Sequence, residues 1–389
     1  MSPTVRTWTS PVRDVLDDLF RGWESGAVAG VATVVRTWQS APRRPGASML
    51  VAADGEAVGS VSGGCVEGAV YELATGVAAD PGARPVLQRY GVSDDDAYAI
   101  GLTCGGIIEV FVEQVSRETF PQLGEVVAAV RAGRPVAVAT CLAPADSPRF
   151  GHRMVIHGDG TAGTFGSARL DAAVADDARG LLAAGRTGML HYGPDGERRG
   201  DELAVFVNSY APPARMIVFG AIDFAAAVAR IGSFMGYHVT VCDARAVFAT
   251  PKRFPSADEV VIEWPHRYLE GEVAAQRVDG RTVLCVLTHD PKFDVPLLEL
   301  ALRLPVAYIG AMGSRRTHDD RLARLREDGL TEAELGRLRS PIGLDLGART
   351  PEETAVSIAA EIVALRWGGT GAVLSEVDGP IHRAGPLGR

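Results

Sequence analysis

Two cysteines of this chain stand beside glycine pairs: Cys65 follows Gly63-Gly64 in SVSGGCVEGAVYE, and Cys104 precedes Gly105-Gly106 in LTCGG. Paired glycines leave the backbone open to close approach. A cysteine in front of a helix N-terminus is favoured as the thiolate, the form that ligates soft metals or attacks electrophiles. Two thiolates without histidine spacing cannot close a tetrahedral site. A soft metal such as molybdenum, copper(I) or zinc would therefore arrive with ligands of its own. Cys65 and Cys104 are the candidate metal-facing residues, with Gly63, Gly64 and Gly105 shaping the approach. The same two thiols would instead form a redox switch if their Cα atoms came within about 7 Å. Cys141, Cys242 and Cys285 lie inside apolar strand runs and read as packed thiols. Glu67 reads as a first-turn carboxylate favoured by the helix dipole rather than as a general base. No residue set reads as catalytic.

A second group of candidates lies further along the chain. Gly220-Ala221-Ile222-Asp223-Phe224-Ala225 follows an apolar run, as a dinucleotide-binding turn would, but only its first glycine fits G-x-G-x-x-G. Ile222 stands where backbone should approach a pyrophosphate, and Asp223 brings a negative charge to the anion position. Asp243, about 20 residues on, suits a ribose hydroxyl. An NAD(P)-dependent oxidoreductase is thus an alternative that the damaged turn disfavours. Later loops carry His289, Asp290 and Lys292 in LTHDPKFD, Gly310, Gly313, Ser314, Arg315 and Arg316 in IGAMGSRRTH, and Asp345 in PIGLDLGART. Backbone donors, a helix N-terminus and two guanidinium forks make the second of these a candidate anion cradle. Arg43 and Arg44 either grip phosphate or face solvent, and Asp94 to Asp96 read as a solvated loop.

These residues need elements to position them. Helical periodicity covers Val12 to Trp23 and Val66 to Ala78, and VAGVATVVRTW alternates like a strand. Asp54-Gly55 and HGDG mark hairpin turns. Strands and helices mix without βαβ alternation up to about residue 211, which predicts an α+β N-terminal domain over 1–211. No recognisable motif falls between about 120 and 210, and no internal repeat stands out. Pro212-Pro213 marks a linker. Beyond it MIVFG, HVTVCD, EVVIE, TVLCVL and VAYIG alternate mostly with helical segments, which predicts a Rossmann-like parallel sheet over 212–376. Thr350, Pro351 and Glu353 form a capping-box signature for a final helix ending at Gly368-Gly369. The tail, 377–389, has too little apolar content to pack from Gly379 on. The fold class is α/β overall.

Composition removes several function classes. The 389 residues carry a net charge of -9, so no basic footprint for nucleic acid is present. No apolar run approaches the roughly 20 residues of a membrane span, and no signal segment is apparent. A soluble cytoplasmic protein with reduced thiols is expected.

The chain resembles the XdhC/CoxI family, accessory proteins of xanthine dehydrogenase and related molybdenum hydroxylases. The segments that carry the resemblance are SGGCVEGAV, LTCGGIIEVFVE, FATPKRFPSADEV, VLTHDPKFDVPLL, YIGAMGSRRTH and PIGLDLGARTPEETAVSIAAEIVALR, in order and in both domains. The resemblance implies a factor, rather than an enzyme with turnover, that binds molybdenum cofactor as molybdopterin or its nucleotide form. It further implies protection of the cofactor, its sulfuration with a cysteine desulfurase, and delivery to an apo-hydroxylase. A homodimeric state is left open. Where the family usually has Gly-Ala-Gly-His-Val-Gly, this chain has Gly220 to Ala225 as quoted above.

Overall fold

The computed structural model describes residues 15–38, 41, 43–91, 106–142 and 146–378. Cys104, Gly105, Asp94 to Asp96 and the tail from Gly379 lie outside the described residues. The chain divides into two compact units, Met1–Pro212 and Pro213–Arg389.

The first unit runs α1 (Leu16–Ser25), β1 (Ala29–Trp38), β2 (Ser48–Val51), β3 (Ala57–Gly59), α2 (Glu67–Ala79), β4 (Val86–Tyr90) and β5 (Ile107–Val115). It continues with α3 (Leu123–Arg131), β6 (Val136–Cys141), β7 (Arg153–His157), β8 (Thr161–Gly163), α4 (Ala168–Ala183), β9 (Gly188–Tyr192) and β10 (Leu203–Tyr210). Both halves make a five-stranded antiparallel sheet, in the orders β3-β2-β1-β5-β4 and β8-β7-β6-β10-β9. Helix, three strands, helix, two strands: the two copies share one topology. The expectation of a chain without internal repeats is thereby corrected. The copies match in register rather than in residue identity, which is why no repeat stands out in the sequence. Thr33 pairs with Ser48 and Phe111 in one, and Thr140 pairs with Arg153 and Phe206 in the other.

The sheets face each other across an apolar interior. Val31, Leu50 and Val115 of the first pack with Val136, Val138 and Val155 of the second, and Val35 and Phe111 with Leu142 and Phe206. Each fully buried side chain of this kind contributes about 1.5–3 kcal/mol over its exposed state. The outer faces are closed by helices: Val70, Ala74 and Val77 of α2 cover the first sheet, and Leu170, Val174, Ala178 and Leu182 of α4 the second. One ion pair is buried between the sheets, from Arg153 to Glu113. Register makes Ser48 the counterpart of Arg153 and Asn208 that of Glu113, so the matching positions do not repeat the pair.

The second unit is a six-stranded parallel sheet. It comprises β11 (Arg215–Phe219), α5 (Asp223–Phe234), β12 (His238–Cys242), β13 (Glu259–Val261), α6 (Pro265–Ala274), β14 (Val283–Val286) and α7 (Pro291–Ala301). It ends with β15 (Tyr308–Ala311), α8 (Arg315–Glu327), α9 (Glu332–Leu335), β16 (Leu338–Arg339) and α10 (Pro351–Trp367). The strand order β13-β12-β11-β14-β15-β16 is that of a doubly wound Rossmann sheet, with its switch point between β11 and β14. The two-residue β16 gave no sequence signal. Thr350 and Glu353 close the capping box of α10, and Gly368 ends it in the left-handed region, as the sequence predicts. Among the described residues no helix is long and apolar enough to cross a membrane.

Candidate functional site

Cys65 sits on a loop between β3 and α2, two positions before the first helical residue. Gly63 and Gly64 adopt φ of 79° and 120°, values that side-chain-bearing residues rarely take. A Cβ added at either would meet nothing within 4 Å, so these glycines are required by the turn and not by crowding. The turn wraps around the carboxylate of Glu67. Ser60 Oγ donates to it at 2.7 Å, the amides of Ser62, Gly63 and Gly64 at 2.8 Å each, and Ser62 Oγ closes the ring. Burial would raise this carboxyl, but the hydrogen bonds from Ser62, Ser60 and the loop backbone outweigh it and hold it at about 2. Glu67 is therefore ionised and committed to the loop, the positioning role and not the base role. The amide of Cys65 donates to Ser62 Oγ at 3.0 Å, and its half-buried side chain packs beside Val66 and Val70.

The first sheet brings further candidates to this end. β1 ends opposite the start of β5, β2 begins and β3 ends here, and β4 ends at Tyr90 opposite Ile108. The loop with Arg43 and Arg44 closes back through Gly46 N donating to Val34 O at 2.8 Å. Gly91 and Gly106, the described residues flanking 92–105, also lie here. Cys141, Cys242 and Cys285 are fully buried in β6, β12 and β14. Burial pushes the Cys242 and Cys285 thiols up to about 12, and nearby carboxylates add to it, so both stay protonated. Among the described residues no three His, Cys, Asp or Glu side chains converge to hold a metal ion.

In the parallel sheet the remaining candidates gather at the carboxyl ends of the strands, but they are not equivalent. Gly220 ends β11 with φ of 110°. Asp243, at the end of β12, is 2% exposed, and its carboxylate is already taken. Ala221 N donates to it at 2.7 Å, and Arg245 donates through its amide at 2.8 Å, Nε at 2.9 Å and Nη2 at 2.8 Å. These bonds outweigh the burial that opposes ionisation and hold its carboxyl below the ordinary range. A ribose hydroxyl would have to displace Arg245. Asp223 is tied to Arg253, which also donates to Ala221 O at 3.2 Å.

Asp290 caps α7 and pairs with Lys292 Nζ at 3.0 Å, and His289 is exposed. Gly310 belongs to β15 rather than to a loop; a Cβ there would lie 2.5 Å from Ile342, so close packing accounts for it. Ser314 caps α8 by accepting from Thr317 N at 3.1 Å. Gly313 precedes it, and Arg315, Arg316 and Asp345 are exposed. What sequence reasoning missed is the brace beneath these loops. Arg321 of α8 donates to Asp294 at 2.8 Å, to Met312 O at 3.0 Å and to Ser340 Oγ at 3.1 Å, and Thr288 donates to the other oxygen of Asp294. Asp294 stands in the quoted THDPKFD segment, but nothing in a sequence signals a partner 27 positions away.

Sequence comparisons match residues 216–362 to the XdhC Rossmann domain and residues 22–91 and 129–193 to the XdhC and CoxI family. The latter two segments fall one in each copy of the duplicated sheet. The chain is 28% identical over 352 residues to a protein of Bacillus subtilis (strain 168) named as a probable subunit of xanthine dehydrogenase, covering 90% of this chain and 96% of that one. It is 26% identical over 358 residues to the molybdenum cofactor insertion chaperone PaoD of Escherichia coli (strain K12), covering 92% and 90%. A crystal structure described as a xanthine dehydrogenase from Bacillus halodurans superposes with a TM-score of 0.65 at 25% identity, covering 92% of this chain and 96% of that one.

Proposed function

The chain belongs to the XdhC/CoxI family, and from that premise we propose that it is a molybdenum cofactor chaperone serving a hydroxylase of the xanthine dehydrogenase type. The observation that carries the reading is the Cys65 loop: a half-buried sulfur on a turn pinned by six hydrogen bonds to the ionised Glu67. A dithiolene-bound molybdenum brings its own ligands and needs one soft protein donor, which this loop offers without a closed cage. Cys104 would supply a second sulfur. The relative named as a cofactor insertion chaperone, matched across 92% of this chain, supports the same reading. In the second unit, by itself, Gly313, Ser314 and the exposed Arg315 and Arg316 at the start of α8 form a candidate anion cradle. Protection, sulfuration with a cysteine desulfurase and handover to the apo-hydroxylase complete the proposal.

A dinucleotide-dependent oxidoreductase is the weaker reading, because Asp243 is occupied by Arg245 and Ile222 and Asp223 obstruct the turn. The test is reconstitution. Chain loaded with molybdenum cofactor should activate an apo-hydroxylase at rates above those with cofactor alone, and Cys65→Ala should remove most of the gain. Equal activation by Cys65→Ala would overturn the role of Cys65, and no gain from wild type would overturn the chaperone reading.

A further inference from the structure

The seam between the two copies of the duplicated sheet opens into a cleft of about 380 Å³, within the usual size of small-molecule sites of about 300–1,000 Å³. Matching positions of the two copies meet in it: Arg36 and Leu142, Glu109 and Ala204, Leu87 and Met189. Register pairs Arg36 with Glu109 in the first copy, and Leu142 N donates to Ala204 O at the matching place in the second. Leu87 and Met189 are likewise counterparts, opposite Phe111 and Phe206. The first copy contributes the Arg36–Glu109 pair with Leu87, and the second Leu142, Met189 and Ala204 together with His191. Asp201 and Glu202 stand at the rim.

The Arg36–Glu109 pair has unmet capacity. The Glu109 side chain is only 16% exposed, and it accepts no hydrogen bond from any described residue; the Arg36 guanidinium is its ion partner at 3.9 Å. A carboxylate that meets no protein donor leaves both oxygens to solvent or to a ligand in the cleft. Arg36 Nη2 lies 2.8 Å from His191 Nε2. Arginine has no acceptor, so Arg36 is the donor of that contact; the same ring nitrogen lies 3.7 Å from Asp201 Oδ1. The rest of the Arg36 fork is available to the cleft.

A donor beside a two-oxygen acceptor, with Leu87 and Met189 in the same cleft, is complementary to an edge that sets a ring carbonyl next to a ring N–H and an amino group. We propose that this cleft binds the 2-amino-4-oxopyrimidine edge of a flat fused heterocycle, with Arg36 donating to the ring carbonyl and Glu109 accepting from the N–H and the amino group. Pterin and guanine share that edge. The assignment deepens the cofactor reading and rests on it, because molybdopterin presents the pterin and its nucleotide form can present guanine.

The full chain is titrated calorimetrically with pterin and guanosine, with lumazine, which lacks the amino donor, and with adenosine, which lacks the edge. Pterin or guanosine should bind at least tenfold tighter than lumazine and adenosine, the tighter of the two identifying the cofactor portion held. Glu109→Gln should weaken it at least tenfold, and Met189→Trp, which fills the cleft from the second copy, should abolish it. Circular dichroism shows whether either variant is folded. Adenosine binding as tightly as pterin, no heat with either edge-bearing ligand, or binding unchanged in both variants would overturn the cleft assignment. If intact cofactor is retained equally by wild type and both cleft variants, the chaperone reading stands and the cleft falls. If intact cofactor is not retained by wild type while pterin binds as expected, the cleft stands and the chaperone reading falls.

Discussion

The two loops that lead into α2 and α4 occupy the same place in the duplicated fold and have been built for different ends. In both, a strand-end glycine with positive φ, Gly59 or Gly163, lets the chain turn over the adjacent strand; a Cβ there would collide with Ser48 O or Arg153 O. In both, the next hydroxyl donates to a carboxylate seven residues on, Ser60 to Glu67 and Thr164 to Asp171. There the likeness stops. Asp171 collects one further amide, from Phe165 at 2.8 Å, and Ser167 caps α4. Glu67 reaches further, gathers the amides of Ser62, Gly63 and Gly64, and leaves α2 without a side-chain cap. The position of Cys65 is taken by Arg169. A serine cap suffices to start such a helix, so starting α2 does not by itself require the glycine pair and its carboxylate.

The largest effect is expected where the copies meet. Arg153→Ser installs the residue found at the matching place in the first copy and leaves Glu113 buried without its partner. It should cost about 3–5 kcal/mol in urea unfolding, whereas Glu113→Leu with Arg153→Met should come within about 1 kcal/mol of wild type. A small loss from the single change would mean that the pair does not hold the copies in register.

The two loops themselves come next. Glu67→Ala should cost about 2–3 kcal/mol and Asp171→Ala about a third of that, in proportion to the charged hydrogen bonds removed. The pH dependence follows in sign. The folded-state carboxyl of Glu67 is lowered from 4.5 to about 2, so its contribution is complete above about pH 4.5 and fades as pH falls toward 2. Glu67→Gln should flatten the stability profile across that window; an unchanged profile would contradict the geometry of the turn. Smaller effects separate the two ways of starting a helix. Gly63→Ala and Gly64→Ala should each cost roughly 1–2 kcal/mol from positive φ, against about 1 kcal/mol for loss of the Ser167 cap in Ser167→Ala. Thermal melts would rank the three.

Much of the architecture was legible in advance because local signals repeat a physical requirement. Asp54-Gly55 made a hairpin since the turn demands positive φ. Thr350 and Glu353 started α10 by satisfying each other's amides, and apolar runs with helical connections gave the parallel sheet. The duplication was not legible, because what the copies share is register: Thr33 and Thr140, Tyr90 and Tyr192, Glu67 and Asp171, scattered among unlike residues. Cys65 and its glycines could be chosen from sequence as a place of exposed backbone. That Glu67 consumes those amides could not, since a carboxylate at the first turn of a helix has the same sequence signature whether or not it folds back. Asp243 shows the same limit from the other side. Its spacing suited a ribose, and only its enclosure by Ala221 and Arg245 shows the carboxylate already committed. The brace of Asp294 and Arg321 and the cleft at Glu109 depend on partners distant in sequence, beyond the reach of any pattern.

The role of Cys65 is decided by the molybdenum content of the chain isolated from a host that makes the cofactor, measured by mass spectrometry for wild type, Cys65→Ala and Arg169→Ala. Molybdenum is expected in wild type and in Arg169→Ala, with most of it lost in Cys65→Ala. Equal molybdenum in Cys65→Ala and wild type would contradict a cofactor held by this sulfur.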